Sequence, residues 1–123
     1  MSNADEPLRA PVRRYPRMNA EYVLAFRRRG EDESRDARLA KTRTIGLGGA
    51  FFETEEPLER GEDLSLHVVV ADRTLDLEAR VVYVERLPSG TWGNGVQFLG
   101  ITEDDREFLL ACYLEREYRI TPE

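Results

Sequence analysis

The stretch LSLHVVVADRTLDLEARVVYV, residues 64–84, decides the fold. Its first half alternates, with Leu64, Leu66, Val68 and Val70 on one side and Ser65 and His67 on the other. That two-residue period belongs to a half-buried strand. The second half repeats it: Leu75, Leu77, Ala79, Val81 and Tyr83 are expected on the core face, and Asp76, Glu78 and Arg80 on the solvent face. The dipeptide Asp72-Arg73, flanked by Ala71 and Thr74, is a hairpin-sized link, although it lacks the Asn-Gly pair of the firmest turns. The stretch therefore predicts an antiparallel hairpin.

The flanking sequence extends this unit into a sheet. AEYVLAFRR (residues 20–28) reads as an earlier strand ending in the charged loop RGEDES (29–34), and DARLAKTRTI (36–45) as a second, weaker one. GVQFLGI (95–101) reads as the last strand, with Val96 and Phe98 on one side, after the turn-rich PSGTWGN (88–94). Strands follow one another with short turns and no helical period between them, which argues for an antiparallel sheet or barrel rather than alternating β and α units. Only TEDDREFLLACYLEREY (102–118) changes period. There Thr102 precedes Asp105 by three residues as a helix cap does, acids occupy the positive end of the helix dipole, and Phe108, Leu109 and Cys112 form one apolar stripe. A small β-barrel closed by an amphipathic helix is expected.

The chain has 123 residues, about one domain, and a net charge of −6 from 18 Lys and Arg against 24 Asp and Glu. A negative body repels polyanions, so non-specific association with a nucleic acid polymer or an anionic membrane is not expected. With one cysteine, Cys112, neither an intramolecular disulfide nor a multi-cysteine metal site can form, which fits a reducing compartment. The opening MSNADEPLRA carries no apolar run and no stretch reaches 18 apolar residues, so a cytoplasmic protein without membrane insertion is expected.

Catalytic chemistry finds little support. His67, the single histidine, falls on the polar side of a strand beside Ser65, and no serine stands in a nucleophile elbow. Cys112 lies on the apolar stripe of the helix, where a small core residue belongs. The acids cluster in loops and at the helix start. The glycine-rich IGLGGAFF (45–52) is not a dinucleotide fingerprint, because Phe51 stands where a glycine is required and no helix follows. It is not a P-loop either, since no Lys-Ser or Lys-Thr follows. A tight turn, where glycine permits positive φ or a close backbone approach, is the reading on pattern. No enzymatic activity, metal or cofactor is expected.

One segment runs against the net charge. Arg9, Arg13, Arg14 and Arg17 occupy nine residues free of acids, beside Pro11 and Pro16, on an otherwise acidic protein. Guanidinium groups pair bidentately with phosphate and stack on aromatic planes, so the cluster suits a small ligand that offers both phosphates and bases. A solvated tail is the plain alternative. Trp92 in SGTWGNG reads as a loop anchor or a rim aromatic on which a base could stack.

Arg13-Arg14-Tyr15-Pro16-Arg17 resembles the RxxxR arm of PilZ domains, with Arg13 and Arg17 as the motif arginines. TIGLGG (44–49) falls where that family carries (D/N)xSxxG, and GNGVQFLGI (93–101) resembles its penultimate strand. The resemblance covers residues 9 to 118. It implies a mainly β fold: a six-stranded antiparallel PilZ-type β-barrel with a C-terminal α-helix and a flexible N-terminal arm. The corresponding division is an arm over 1–12, the domain over 13–118 and a tail over 119–123. The implied ligand is cyclic di-GMP, with Arg13, Arg14, Arg17, Thr44, Gly46 and Gly49 as ligand-binding residues and no resident cofactor. Two positions depart from the motif: Thr44 stands for Asp or Asn, and Gly46 for Ser. Thr44 keeps one hydroxyl and Gly46 only backbone, a loss of one or two ligand hydrogen bonds.

Two readings of different class follow. In one, the protein is a non-catalytic second-messenger receptor that relays cyclic di-GMP to an unidentified protein effector in motility, pilus or exopolysaccharide control. In the other, it is a PilZ-fold adaptor that has lost nucleotide binding and acts by protein–protein interaction.

Overall fold

In the computed structural model, residues 63–70 and 73–86 form the hairpin that their alternation predicts. The structure describes residues 17–29 and 37–117. In chain order the elements are β1 (Arg17–Asn19), β2 (Val23–Arg28), β3 (Arg38–Gly46), β4 (Gly49–Thr54), β5 (Asp63–Val70), β6 (Arg73–Arg86), β7 (Trp92–Gly100) and α1 (Glu103–Glu117). The expected arm over 1–12, the tail over 119–123 and most of the RGEDES loop lie outside the described residues, as do Arg9, Arg13 and Arg14.

All pairings are antiparallel, in the order β1-β3-β2-β5-β6-β7-β4, and a further β3–β4 pairing closes the sheet on itself. β1 pairs with Thr44–Gly46 of β3 and β2 with Arg38–Lys41. They act as one interrupted strand, which makes the barrel six-stranded. Thr42 bridges the interruption. Its buried Oγ1 accepts from the Tyr22 amide at 2.8 Å and donates to the Ala20 carbonyl at 2.6 Å, while its own amide donates to the Tyr22 carbonyl. A side-chain hydroxyl thus satisfies ladder groups that the break would orphan.

The barrel interior holds the inward residues of every strand. Leu64, Leu66, Val68 and Val70 of β5 meet Leu75, Leu77, Ala79 and Val81 of β6, with Leu24, Phe26, Ile45, Phe52, Val96 and Phe98 completing the core. Ser65 and His67 face outward, as the pattern requires.

Three local expectations are corrected. Arg73 is a strand residue opposite Val70, so the hairpin loop is Ala71-Asp72, and Ala71 takes the left-handed backbone with φ 57°. Tyr83 does not share the face of Val81: the β6–β7 register shifts between them and turns Tyr83 toward Phe51, at 6.5 Å between ring centroids, while Val84 packs on the core. Trp92, Gly93 and Asn94 belong to β7 rather than to a turn. Trp92 is a strand residue opposite Arg86, whose guanidinium lies 5.2 Å from the indole. Gly93 reads as a turn former, yet its missing Cβ leaves room for the Phe51 ring, while at Gly95 a Cβ would meet Tyr83.

α1 begins as its sequence predicts. Thr102 Oγ1 accepts from the Asp105 amide at 3.1 Å, and Leu109 is buried with Phe108, Cys112 and Tyr113 packed around it. The helix is held at both ends. Arg73 of the hairpin donates to Asp104 and Asp105 and lies 4.8 Å above the Phe108 ring. Fifteen residues on α1 span about 22 Å, and at the far end Arg116 Nη2 donates to the Asn19 carbonyl of β1 at 2.7 Å.

Candidate functional site

The site is built on the β1–β3–β4 ribbon. β1 lies in register so that Arg17 opposes Gly46, Met18 opposes Ile45 and Asn19 opposes Thr44. Met18 and Ile45 are buried in the core. Strand alternation therefore sends Arg17 and Asn19, with Gly46 and Thr44, to the outer face.

The glycine turn joins this face to β4. Gly46 ends β3, Leu47 and Gly48 form the turn, and Gly49 opens β4. Positive φ among the described glycines occurs at Gly61 and Gly90, so Gly49 is not required by backbone twist. It is required by space. A Cβ on Gly49 would stand 2.1 Å from the Val96 carbonyl oxygen and 3.0 Å from Arg17 Nη2. The Arg17 guanidinium thus lies directly over the residue that the glycine motif places there.

Of the six residues singled out in the sequence, Arg17, Gly46 and Gly49 come together. Thr44 is one step along the ribbon, beside Asn19 on one strand and Phe51 on the other. Arg13 and Arg14 lie outside the described residues. Thr44 Oγ1 is shielded from solvent and has no hydrogen-bond partner among the described residues. An unsatisfied hydroxyl of this kind carries a free-energy penalty unless a further group bonds to it.

Beyond Thr44 the face opens into a groove of about 440 Å³ lined by Asn19, Arg43, Thr44, Phe51, Glu85 and Leu87. Phe51 and Leu87 supply apolar surface. Arg43 is paired with Glu53, which also accepts from Thr91 Oγ1 at 2.9 Å. Tyr83 donates its hydroxyl to Glu85 Oε1 at 2.8 Å, and this bond, with burial, pushes the phenol above its ordinary pKa. Asn19, Phe51 and Glu85 were not identified from the sequence as site residues. Asn19 did leave a signal: it stands two residues after Arg17, the spacing that shares a strand face.

Elsewhere the chemistry is sparse. His67 is exposed, with Nδ1 2.6 Å from Asp76 Oδ1 across the β5–β6 ladder. Cys112 is partly buried, and burial and Glu115 push its thiol up, away from the reactive thiolate. No cluster of three or more metal-ligating side chains occurs among the described residues. No helix among them is long and apolar enough to cross a membrane.

A closed six-stranded barrel with an arginine on its first strand, a glycine turn beneath it and a C-terminal helix across one side defines the class: a small antiparallel β-barrel domain flanked by a helix. The PilZ domain family model matches residues 11–115, and the chain belongs to that family. Solved structures agree on the fold. The Bacillus subtilis inhibitor of motility MotI/DgrA aligns at TM-score 0.74 and 20% identity over 91% of this chain and 54% of its own. The PilZ domain of Escherichia coli YcgR, solved with c-di-GMP, aligns at TM-score 0.65 and 19% identity over 87% of this chain and 94% of its own. The K. pneumonia MrkH–c-di-GMP complex gives TM-score 0.64 and 18% identity over 90% of this chain and 56% of its own. The chain therefore spans about half the length of MotI/DgrA and of MrkH and nearly all of the YcgR domain. No curated protein matched.

Proposed function

We propose that the protein is a cytoplasmic, non-catalytic receptor for cyclic di-GMP that acts through a protein effector, with the domain over residues 13–118. The observation that carries this reading is the placement of Arg17 opposite Gly46 and over Gly49. A guanidinium in that position presents a bidentate donor to a phosphate seated at the glycine turn, where no side chain obstructs the approach. Arg13 and Arg14 complete the cationic arm, and Thr44 offers its unpartnered hydroxyl to a base. Membership in the PilZ family supports the choice of ligand, as does the presence of c-di-GMP in the YcgR and MrkH structures. Control of motility, a pilus or exopolysaccharide is the kind of output proposed.

Calorimetric titration of cyclic di-GMP, with GTP and cyclic GMP as controls, tests the reading. Micromolar or tighter binding is expected for the wild type, and Arg17→Ala should weaken it by about one to two orders of magnitude. The replacement of the motif carboxylate or amide by Thr44 and of its serine by Gly46 favours the second reading, a nucleotide-free adaptor. Absence of heat up to near-millimolar cyclic di-GMP would establish that reading instead.

A further inference from the structure

We propose that the groove beside Thr44 is a purine subsite in which the Asn19 side-chain amide, together with Glu85, selects guanine. This rests on the receptor reading above and goes beyond it by naming the residues that read the base. Asn19 and Thr44 are directly opposed on β1 and β3, and both line the groove. Directly paired side chains on one face have Cβ atoms about 4.5–5.5 Å apart, so a group absent from one position can be supplied from the other. Thr44 has a single hydroxyl, whereas Asn19 carries a donor NH₂ and an acceptor oxygen.

Arg116 binds the backbone carbonyl of Asn19, and no hydrogen bond of its side-chain amide occurs among the described residues. Its side chain is exposed at the groove. The remaining lining suits a purine: Phe51 and Leu87 provide an apolar surface for the ring, Glu85 provides a carboxylate, and Arg43 is engaged by Glu53. Oε1 of Glu85 accepts from Tyr83, and no hydrogen bond to Oε2 occurs among the described residues.

The pattern of donors and acceptors sets the sign of the preference. The guanine edge offers the O6 acceptor with the N1–H and N2–H donors, which fits an amide NH₂ and a carboxylate oxygen. Adenine offers an amino donor and a bare N1, whose lone pair faces the same carboxylate unfavourably. In the groove Arg43 is already paired with Glu53 and Glu85 adds a negative charge, so a phosphate is drawn instead to Arg17 at the other end of the ribbon. Charge thus orients a nucleotide along the face, with phosphate at the glycine turn and base in the groove.

The test compares cyclic di-GMP and cyclic di-AMP on wild type, Asn19→Ala, and Asn19→Ala combined with Thr44→Asn. The alanine variant keeps the backbone carbonyl that Arg116 binds, so its fold should persist and circular dichroism will verify it. Wild type should prefer cyclic di-GMP, and Asn19→Ala should weaken it about ten- to a hundredfold while changing cyclic di-AMP much less. Thr44→Asn should restore most of the loss by returning an amide to the other half of the pair. Wild-type binding that Asn19→Ala leaves within twofold, a loss equal for both nucleotides, or a loss that Thr44→Asn does not recover overturns this assignment and leaves the receptor reading intact. A wild type that binds neither nucleotide overturns both.

Discussion

Arg116 at the end of α1 and Asn19 on β1 are joined by a hydrogen bond of 2.7 Å across 97 residues of sequence. β1 has three residues and a single strand partner, so this contact and the α1 packing secure its other side. The Tyr22 hydroxyl has its pKa raised chiefly by burial, an effect that the nearby Arg116 charge opposes. Arg116→Ala should therefore loosen β1 first. Hydrogen exchange at the Ala20 amide, which donates to the Arg43 carbonyl, should quicken, with a global loss of about 0.5–1 kcal/mol in urea denaturation. Unchanged exchange there would show that β3 alone holds the strand.

Thr42 offers a sharper probe of the interrupted first strand. Thr42→Val keeps the shape and removes the hydroxyl, leaving the Tyr22 amide and the Ala20 carbonyl without their partner. Each orphaned group costs about 1–3 kcal/mol, so a loss of about 2–6 kcal/mol is expected. Thr42→Ser should recover most of it. Equal stability of the valine and serine variants would contradict the bridging role.

Ala71 predicts an opposite sign. Its φ of 57° places an L side chain in the left-handed region at the first position of a two-residue hairpin loop, where glycine is favoured. Relief of that strain, about 1–2 kcal/mol, exceeds the entropy that glycine gives to the unfolded chain, about 0.5–1 kcal/mol. Ala71→Gly should raise the melting temperature, whereas a fall would mean that the loop relaxes to accept alanine.

Asp63 should hold its charge to lower pH than an ordinary aspartate. The Arg80 guanidinium, bonded to both carboxylate oxygens at 2.8 and 3.3 Å, holds Asp63 below its ordinary value, with Arg29 assisting. A carboxylate with a lowered folded pKa contributes stability that is present above the unfolded value, about 3.9. That stability is lost as the pH falls through the lowered one. In an NMR titration, Asp63 should protonate below the ordinary aspartate range, and in Arg80→Gln its midpoint should move up toward that range. A wild-type midpoint at or above the ordinary value would disprove the coupling.

The alternation of β5 and β6 was legible because each strand is buried on one face only, so Leu64 to Val81 record the core directly. The helix cap at Thr102 was legible because capping is local. Tyr83 was misplaced because a register shift between two strands leaves no local trace. Gly93 was read as a turn for the same kind of reason: the ring that needs its vacancy belongs to Phe51, on another strand. In the site, Arg17 and the glycine turn were found by motif spacing. Asn19 was missed because it falls just ahead of AEYVLAFRR, the run that reads as the first strand, and only the pairing of β1 with β3 sets it beside Thr44.

The bond between Arg116 and Asn19 also brings the first strand and the last helix together. The short strand β1 and the C-terminal end of α1 therefore lie side by side, next to the groove that Asn19 lines. A barrel with its two leads side by side can be spliced into a longer polypeptide without parting the segments it joins.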